Sequence, residues 1–281
     1  MIVQRIAGRV TLQIGLILWT VLVAVPFVLI VLLSFRSNAD IFLNGLGLGG
    51  ALSLKGYADA WVGQSGNGGM SLFFVNSAVV AATALLVSLG AGVTGAYFVT
   101  HARPVVRRWY LRIFILATVL PVVMLIVPLY QVYNSLGFIS APVAVGVAYG
   151  ALTLPTTTLI SYAYFEDFPK ELTEAAAIDG IGPWRTYLLV VLPLARGSVT
   201  AVGILTLVFV WGETQLGVVL LQSEASQTIP VGLLSFQGQF TANLGAMFAG
   251  LALGSIPIMI LYLLLNRQIT KGIALGGFGG R

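Results

Sequence analysis

Six apolar stretches dominate this 281-residue chain, each long enough for a helix to cross about 30 Å of hydrocarbon. They lie near residues 12–35, 71–99, 113–133, 142–164, 198–221 and 243–265. A water-facing surface cannot be built from what remains. Charged residues make up 8% of the chain, against about 25% in soluble domains, and mean hydropathy is +0.99. Within hydrocarbon every backbone N–H and C=O must be satisfied inside the protein, and nothing here alternates like a barrel strand, so helices are expected. Pro26, Pro121, Pro128, Pro155 and Pro257 fall inside the stretches and predict kinks. Arg5 and Arg9 precede the first stretch as in a signal peptide. That stretch exceeds the roughly 7–15 apolar residues of a cleavable signal, so it reads as an uncleaved first span.

Orientation follows from the bases. Twelve of the fourteen Lys and Arg residues fall in one alternating set of connecting segments, leaving only Arg36 and Lys55 in the other. Positive charge stays cytoplasmic, which puts both termini inside. The expected fold is therefore all-α and integral to the inner membrane: six transmembrane helices in one domain, 1–281, with a core at 71–265. The bases cluster between apolar stretches, which points to membrane lipid and not to nucleic acid. With no cysteine, a disulfide framework, a zinc–thiolate site and a thiol nucleophile are excluded. The outer segment 36–70 is rich in glycine and suggests a mobile loop. Within it Tyr57 and Trp61, four apart, can anchor a short interfacial helix, through either an aromatic belt or a partner contact.

The long cytoplasmic segment 165–197 reads FEDFPKELTEAAAIDGIGPWRTYLLVVLPLARG. Pro169 can begin a helix, Gly180 is a natural helix stop, and Pro183 can begin a second helix. On the second, Trp184, Tyr187, Leu188, Val191 and Leu192 recur at helical spacing and form an apolar face. The expected structure is helix, glycine turn, helix at the cytoplasmic surface. By these properties alone it is either an amphipathic connector or a docking element.

Glu174–Ala175–Ala176, Asp179–Gly180 and Leu192–Pro193–Leu194 resemble, with matching spacing, the EAA loop of ABC-importer permeases. The resemblance covers nearly the whole chain and points to the carbohydrate-type permeases, on the side of the maltose importer's smaller pore subunit. Asn76–Ser77, Leu120–Pro121, Val127–Pro128–Leu129–Tyr130, Leu136–Gly137, Trp211–Gly212–Glu213, Ile229–Pro230–Val231–Gly232–Leu233 and Lys271–Gly272 are similar to further elements of that family. Gly212, Ile181 and Gly197 depart from its usual residues. The resemblance implies the type I ABC importer fold, with the EAA loop as a coupling helix on a separate ATPase subunit. It implies as partners a second homologous permease, an ATP-binding subunit dimer carrying ATP and Mg, and an extracytoplasmic solute-binding lipoprotein. The substrate it implies is a carbohydrate. In that role Glu174 pairs with a basic group on the ATPase, Gly180 supplies the turn, Ala175 and Ala176 give close packing, and Asp179 offers charge. No lysine here completes G-x-x-x-x-G-K-[ST], so nucleotide binding and its chemistry are expected on the partner, and this chain is not expected to be an enzyme.

For the substrate path, Glu213 is the acidic residue set well inside a span, where an ionised group is costly. It is a candidate for a sugar hydroxyl, a structural helix-to-helix bond or a place near the outer water. Trp211 can stack on a sugar ring or simply pack. Tyr130, Gln131 and Asn134 end the third span with polar reach. His101 sits among bases, where a headgroup contact fits better than a metal. An ion-coupled secondary transporter would need more intramembrane ionisable groups than Glu213, and polyamine permeases share the EAA loop.

Overall fold

A computed structural model describes the backbone of residues 2–45, 51–63, 68–236 and 243–276, with side chains from 12 to 264 inside those ranges. Every regular element among the described residues is helical. The elements are α1 (Ile2–Ser34), α2 (Asn38–Asn44), α3 (Lys55–Val62), α4 (Met70–Thr100), α5 (Pro104–Val119), α6 (Val122–Ser135) and α7 (Pro142–Glu166). Then follow α8 (Lys170–Ile178), α9 (Pro183–Leu194), α10 (Arg196–Gly212), α11 (Gln215–Leu220), α12 (Ile229–Ser235) and α13 (Leu244–Gly276).

Four helices are long and apolar enough to cross a membrane, in α1, α4, α7 and α13, and two bent pairs bring the number to six if each is one span. Those pairs depart from the straight spans the sequence suggests. Around residues 113–133 the chain breaks at Leu120–Pro121, and α5 and α6 meet at 98°. A proline disfavours the helical conformation in the residue before it, and Leu120 is extended at φ −70°, ψ 117°. The second pair is α9 and α10, which meet at 78° at Ala195, ahead of the stretch expected at 198–221; within that stretch α10 stops at Gly212, and α11 begins three residues later, at Gln215. Pro26, Pro128, Pro155 and Pro257 lie within continuous helices.

The chain divides into two compact units. The first comprises Met1–Ser71 and Gly232–Ile256. In it the outer segment is held by polar contacts. Ser34 and Tyr57 share a 2.7 Å hydroxyl bond, the Asn38 side chain accepts from Leu244 N–H at 2.8 Å, and Asn243 donates to Asp59 at 3.3 Å. Gly56 lies so close to the Gly245 carbonyl that a Cβ would stand 2.6 Å from it. Tyr57 and Trp61 do share a short helix, α3, whereas Gly47, Gly49, Gly50 and Gly66 lie outside the described residues.

The second unit, Leu72–Val231 with Pro257–Arg281, is built on α4 and α7. Gly146 and Gly150, one turn apart on α7, bring it against α4. A Cβ on Gly146 would meet the Val80 carbonyl at 2.8 Å, and one on Gly150 the Ala84 carbonyl at 2.9 Å. Small residues at this spacing let helices approach where lipid supplies no hydrophobic drive. The approach brings buried hydroxyls together. Ser88 of α4 bonds Thr157 of α7 at 2.8 Å, and Thr157 lies 3.3 Å from Thr206 of α10. Helices α5 and α10 both pack on α7.

Candidate coupling site

Helix α8 has nine residues and ends on Gly180, whose φ is +75°. The Ile181 N–H donates to the Ala176 carbonyl at 2.9 Å and the Gly180 N–H to that of Ala177 at 3.1 Å. This pair of bonds is the Schellman closure, which satisfies carbonyls at a helix end and needs a left-handed residue at its centre. Gly182 then turns the chain in extended conformation, at φ −68°, and Pro183 opens α9. The Thr186 hydroxyl donates to the Gly182 carbonyl at 3.2 Å, tying the second helix back to the turn.

Not all of α9 is α-helical. Tyr187–Val191 forms a π-helical turn, closed by Leu192 N–H on the Tyr187 carbonyl. Pro193 follows directly. It lacks an N–H for the preceding turn and its ring crowds the carbonyl four residues back, so a widened turn accommodates it. The face expected along α9 therefore divides. Tyr187 and Val191 are buried and Leu192 is partly covered, whereas Trp184 and Leu188 remain exposed.

The buried part is seated on aromatic rings. Tyr187 stacks on Tyr97 with centroids 5.0 Å apart, and its hydroxyl lies 3.1 Å from that of Thr94. Trp184 stacks on Phe98 at 5.5 Å, with the rings 13° from parallel. Tyr97 also meets Phe165 edge-on at 5.6 Å. The lower ends of α4 and α7 thus form a base for the loop. Such aromatic pairs contribute about 0.5–1.5 kcal/mol each beyond the area they bury.

Against that base the candidates separate. Glu174, Ala175, Asp179 and Gly180 are exposed, while Ala176 is buried at 5% exposure within its own chain, where α8 packs on α9. Ala176 therefore packs inward, unlike Ala175. Glu174 has no ion-pair partner among the described residues. With Lys170, His101 and Arg107 it lines a cleft of about 440 Å³ between the loop and the ends of α4, α5 and α7. Arg107 itself lies 3.8 Å from Glu166, which also accepts from the Tyr162 hydroxyl at 2.8 Å. His101 bonds locally, its Nδ1 2.9 Å from the Thr100 hydroxyl and 3.2 Å from the Tyr97 carbonyl.

Of the path candidates, Trp211 and Glu213 lie where α10 stops, while Tyr130, Gln131 and Asn134 lie on α6. Glu213, at 9% exposure, turns its carboxylate onto the chain, accepting from Leu216 N–H at 3.1 Å and Gly217 N–H at 3.4 Å. It caps α11 and holds the break in shape. Trp211 and Tyr130 both pack, partly buried, on the cluster containing Tyr149, Val210 and Leu216. Gln131 and Asn134 are exposed on α6. Among the described residues no group of three acidic or histidine side chains forms a metal site.

Residues 85–274, which take in the loop, its base and the break, match the family described as binding-protein-dependent transport system inner membrane component. The chain belongs to this family. It is a multi-pass inner-membrane permease, a pore subunit of a binding-protein-dependent ABC importer. It is 28% identical over 265 residues to the diacetylchitobiose uptake system permease protein NgcG of Streptomyces coelicolor, covering 94% of this chain and 86% of that one. To the trehalose/maltose transport system permease protein MalG of Thermococcus litoralis it is 26% identical, over 99% of each. Its fold matches a chain from the crystal structure of a bacterial ABC transporter involved in the import of the acidic polysaccharide alginate. That match has a TM-score of 0.77 at 19% identity and covers 94% of this chain and 96% of that one.

Two features of the permease's loop were not singled out in its sequence. Ile178, at 86% exposure, is the most uncovered large apolar residue of the second unit's loop and stands beside Asp179 at the tip of α8. Its place one residue ahead of the Asp–Gly stop is visible in the sequence, but only the Schellman geometry turns it outward. Trp184 and Tyr187 were read as part of an apolar face, but the base beneath them, Tyr97, Phe98 and Phe165, was missed for another reason. Tyr97, Phe98, Phe165, Trp184 and Tyr187 come from three separate segments, and no local spacing links them.

Proposed function

We propose that this permease is one of two pore subunits of an ATP-driven importer of a sugar or oligosaccharide, and that it receives its energy through α8. The observation that carries the reading is α8, closed at Gly180 and packed on the aromatically seated α9, which presents Glu174, Ala175, Ile178 and Asp179 to the outside. The partner for that surface is a separate ATPase subunit, which binds ATP and Mg and performs the hydrolysis. Ala175 admits a close backbone approach, Ile178 inserts into an apolar notch, and Glu174 meets a basic side chain. Gly180 fixes where the helix ends, and so where these side chains point. A second, homologous permease completes the pore, and an extracytoplasmic binding protein delivers the solute. The sugar assignment is supported by the relatives whose names specify carbohydrate solutes, diacetylchitobiose for one and trehalose or maltose for another.

The test uses the assembled importer. Glu174→Lys reverses one charge on an exposed helix face and leaves the base untouched. It is expected to weaken ATPase-subunit association and to abolish transport while the permease remains folded. Association and transport at wild-type levels in that variant would remove α8 as the docking element.

A further inference from the structure

A second cleft, larger than the one that Glu174 lines, opens between α7, α8, α9 and α10. Its volume of about 740 Å³ is within the usual range of ligand sites, about 300–1,000 Å³. The walls are largely apolar. Leu159, Ile160 and Ala163 come from α7, Leu172 from α8 and Leu194 from α9. Ile160, Leu172 and Leu194 are left open, at 38%, 41% and 54% exposure. From Leu159 to the end of α7 at Glu166 the helix descends about 10 Å, and that end is the cytoplasmic one. The cleft therefore runs from the inner interface into the inner half of about 30 Å of hydrocarbon.

Its polar end is acidic and aromatic. Asp167 is the one charged side chain among the described residues that line it, and has no ion-pair partner among the described residues. Tyr164, three residues before it, and Phe168, next to it, line the same cleft, with ring centroids 6.4 Å apart and planes tilted by 55°. A carboxylate beside two rings suits a cation, since an aromatic face attracts an ammonium within about 6 Å of its centroid. The nearby bases are placed elsewhere. Arg107 and Lys170 line the neighbouring cleft, which is where an anionic headgroup would be drawn.

We propose that this cleft holds a phospholipid of the inner leaflet whose headgroup carries an ammonium. The ammonium pairs with Asp167 and lies against the Tyr164 and Phe168 rings. One acyl chain runs up the cleft along Ile160, Leu172 and Leu194. Ser198 of α10 adds a hydroxyl donor for the phosphate oxygens. Position and charge together select this occupant: the apolar walls lie at acyl-chain depth, and the lone carboxylate lies at headgroup level. Because Leu172 belongs to α8, the lipid also packs one side of the coupling helix. The site does not depend on which solute the importer carries.

The test uses the assembled importer, incubated in an uncharged detergent with equal amounts of dioleoyl phosphatidylethanolamine, phosphatidylcholine and phosphatidylglycerol. After washing, the lipid retained per complex is measured by mass spectrometry. Asp167→Asn removes the charge and Ile160→Trp fills the apolar groove. Leu86→Trp, at a 75% exposed position of α4 that lines none of these clefts, is the control. Complexes that elute as one species are compared, and Asp167→Glu, which keeps the charge, should retain the lipid. Asp167→Asn and Ile160→Trp are each expected to retain about tenfold less of the two ammonium lipids, with Leu86→Trp and the glycerol lipid unchanged. Equal retention of the ammonium lipids in wild type and in both variants would overturn the proposal. So would an equal loss of the glycerol lipid in Asp167→Asn, because the carboxylate would then not be selecting headgroup charge. In a chain without cysteine, Leu172→Cys carrying a photoactivated maleimide would label whatever covers the cleft. Lipid is the expected product, and the second permease in place of lipid would overturn the assignment.

Discussion

Gly180 allows the coupling geometry to be perturbed without touching any contact. Its φ of +75° is in the left-handed region, and a Cβ placed on it would meet nothing within 4 Å. Gly180→Ala therefore adds no clash and removes no packing. What it adds is the cost of a left-handed L-residue, about 1–2 kcal/mol. That cost lowers the population of the Schellman turn by a factor of roughly 5–30. Gly182 supplies the control two residues on. It also has open space around its Cβ position, but its φ is −68°. There the substitution to alanine restricts only the unfolded chain, and is expected to be neutral or stabilising by about 0.4–1 kcal/mol. Asparagine tolerates the left-handed region better than alanine, so Gly180→Asn should fall between wild type and Gly180→Ala. The assay is titration of the ATPase subunit onto the purified permease pair, followed by solute-stimulated ATP hydrolysis. The expected order of affinity is wild type and Gly182→Ala, then Gly180→Asn, then Gly180→Ala, with the last weakened by the factor given. If Gly180→Ala behaves like Gly182→Ala, backbone handedness does not set the docking surface. If the bulkier asparagine is the worse of the two, steric exclusion at the interface is the cause and the conformational argument fails.

Gly150→Leu should overpack the α4–α7 crossing, where even a Cβ would stand 2.6 Å from the Val87 Cβ. A loss of about 1–3 kcal/mol should appear as a lower thermal midpoint in detergent, whereas Gly90→Leu, on open space, should leave the midpoint unchanged. Removing the ring that seats the loop, by Tyr187→Ala, should cost about 3–5 kcal/mol and expose Lys170 and Arg185 to trypsin. Tyr187→Phe keeps the stack and loses only the hydroxyl contact to Thr94, so its digestion should resemble wild type.

The glycine stop at 180, the proline starts and the exposed Glu174 were legible in sequence because each is a local property of a residue or its neighbours. Hydropathy also located the four stretches that form α1, α4, α7 and α13, since length and polarity alone decide them. It could not tell a straight helix from a broken one. A window centred on residues 113–133 averages over Pro121 without registering that the axis turns, and one on 198–221 averages over the stop at Gly212. Proline content was an uncertain guide too. Pro155 sits inside an unbroken α7, while Pro121 ends α5. The difference lies in neighbours. Pro155 is buried within the second unit's packed helices, and Pro121 is exposed. For Glu213 the sequence left a sugar hydroxyl, a helix-to-helix bond and a place near the outer water all open, because an acid in hydrocarbon demands a partner. The partners are its own backbone, three and four residues on, which only exist once α10 has stopped at Gly212.

That sequence of dependencies bears on how the loop and the path act together. Helix α8 packs on α9, and α9 is seated on the lower ends of α4 and α7 through Tyr187 on Tyr97, which in turn meets Phe165. Higher up, α7 is bonded to α4 and α10 through Ser88, Thr157 and Thr206, where any hydroxyl left without a partner would cost about 1–3 kcal/mol. Breaking those bonds is therefore an expensive way for the helices to answer the push proposed at Glu174. Moving α4, α7 and α10 as one body is cheaper. A rigid body of this kind delivers its displacement at its far end, and the far end of α10 is Gly212. There the chain is already interrupted, and the joint is held by one carboxylate on two N–H groups. Coupling by rigid-body movement thus requires a stiff helix core below and a break above, and the second unit contains both.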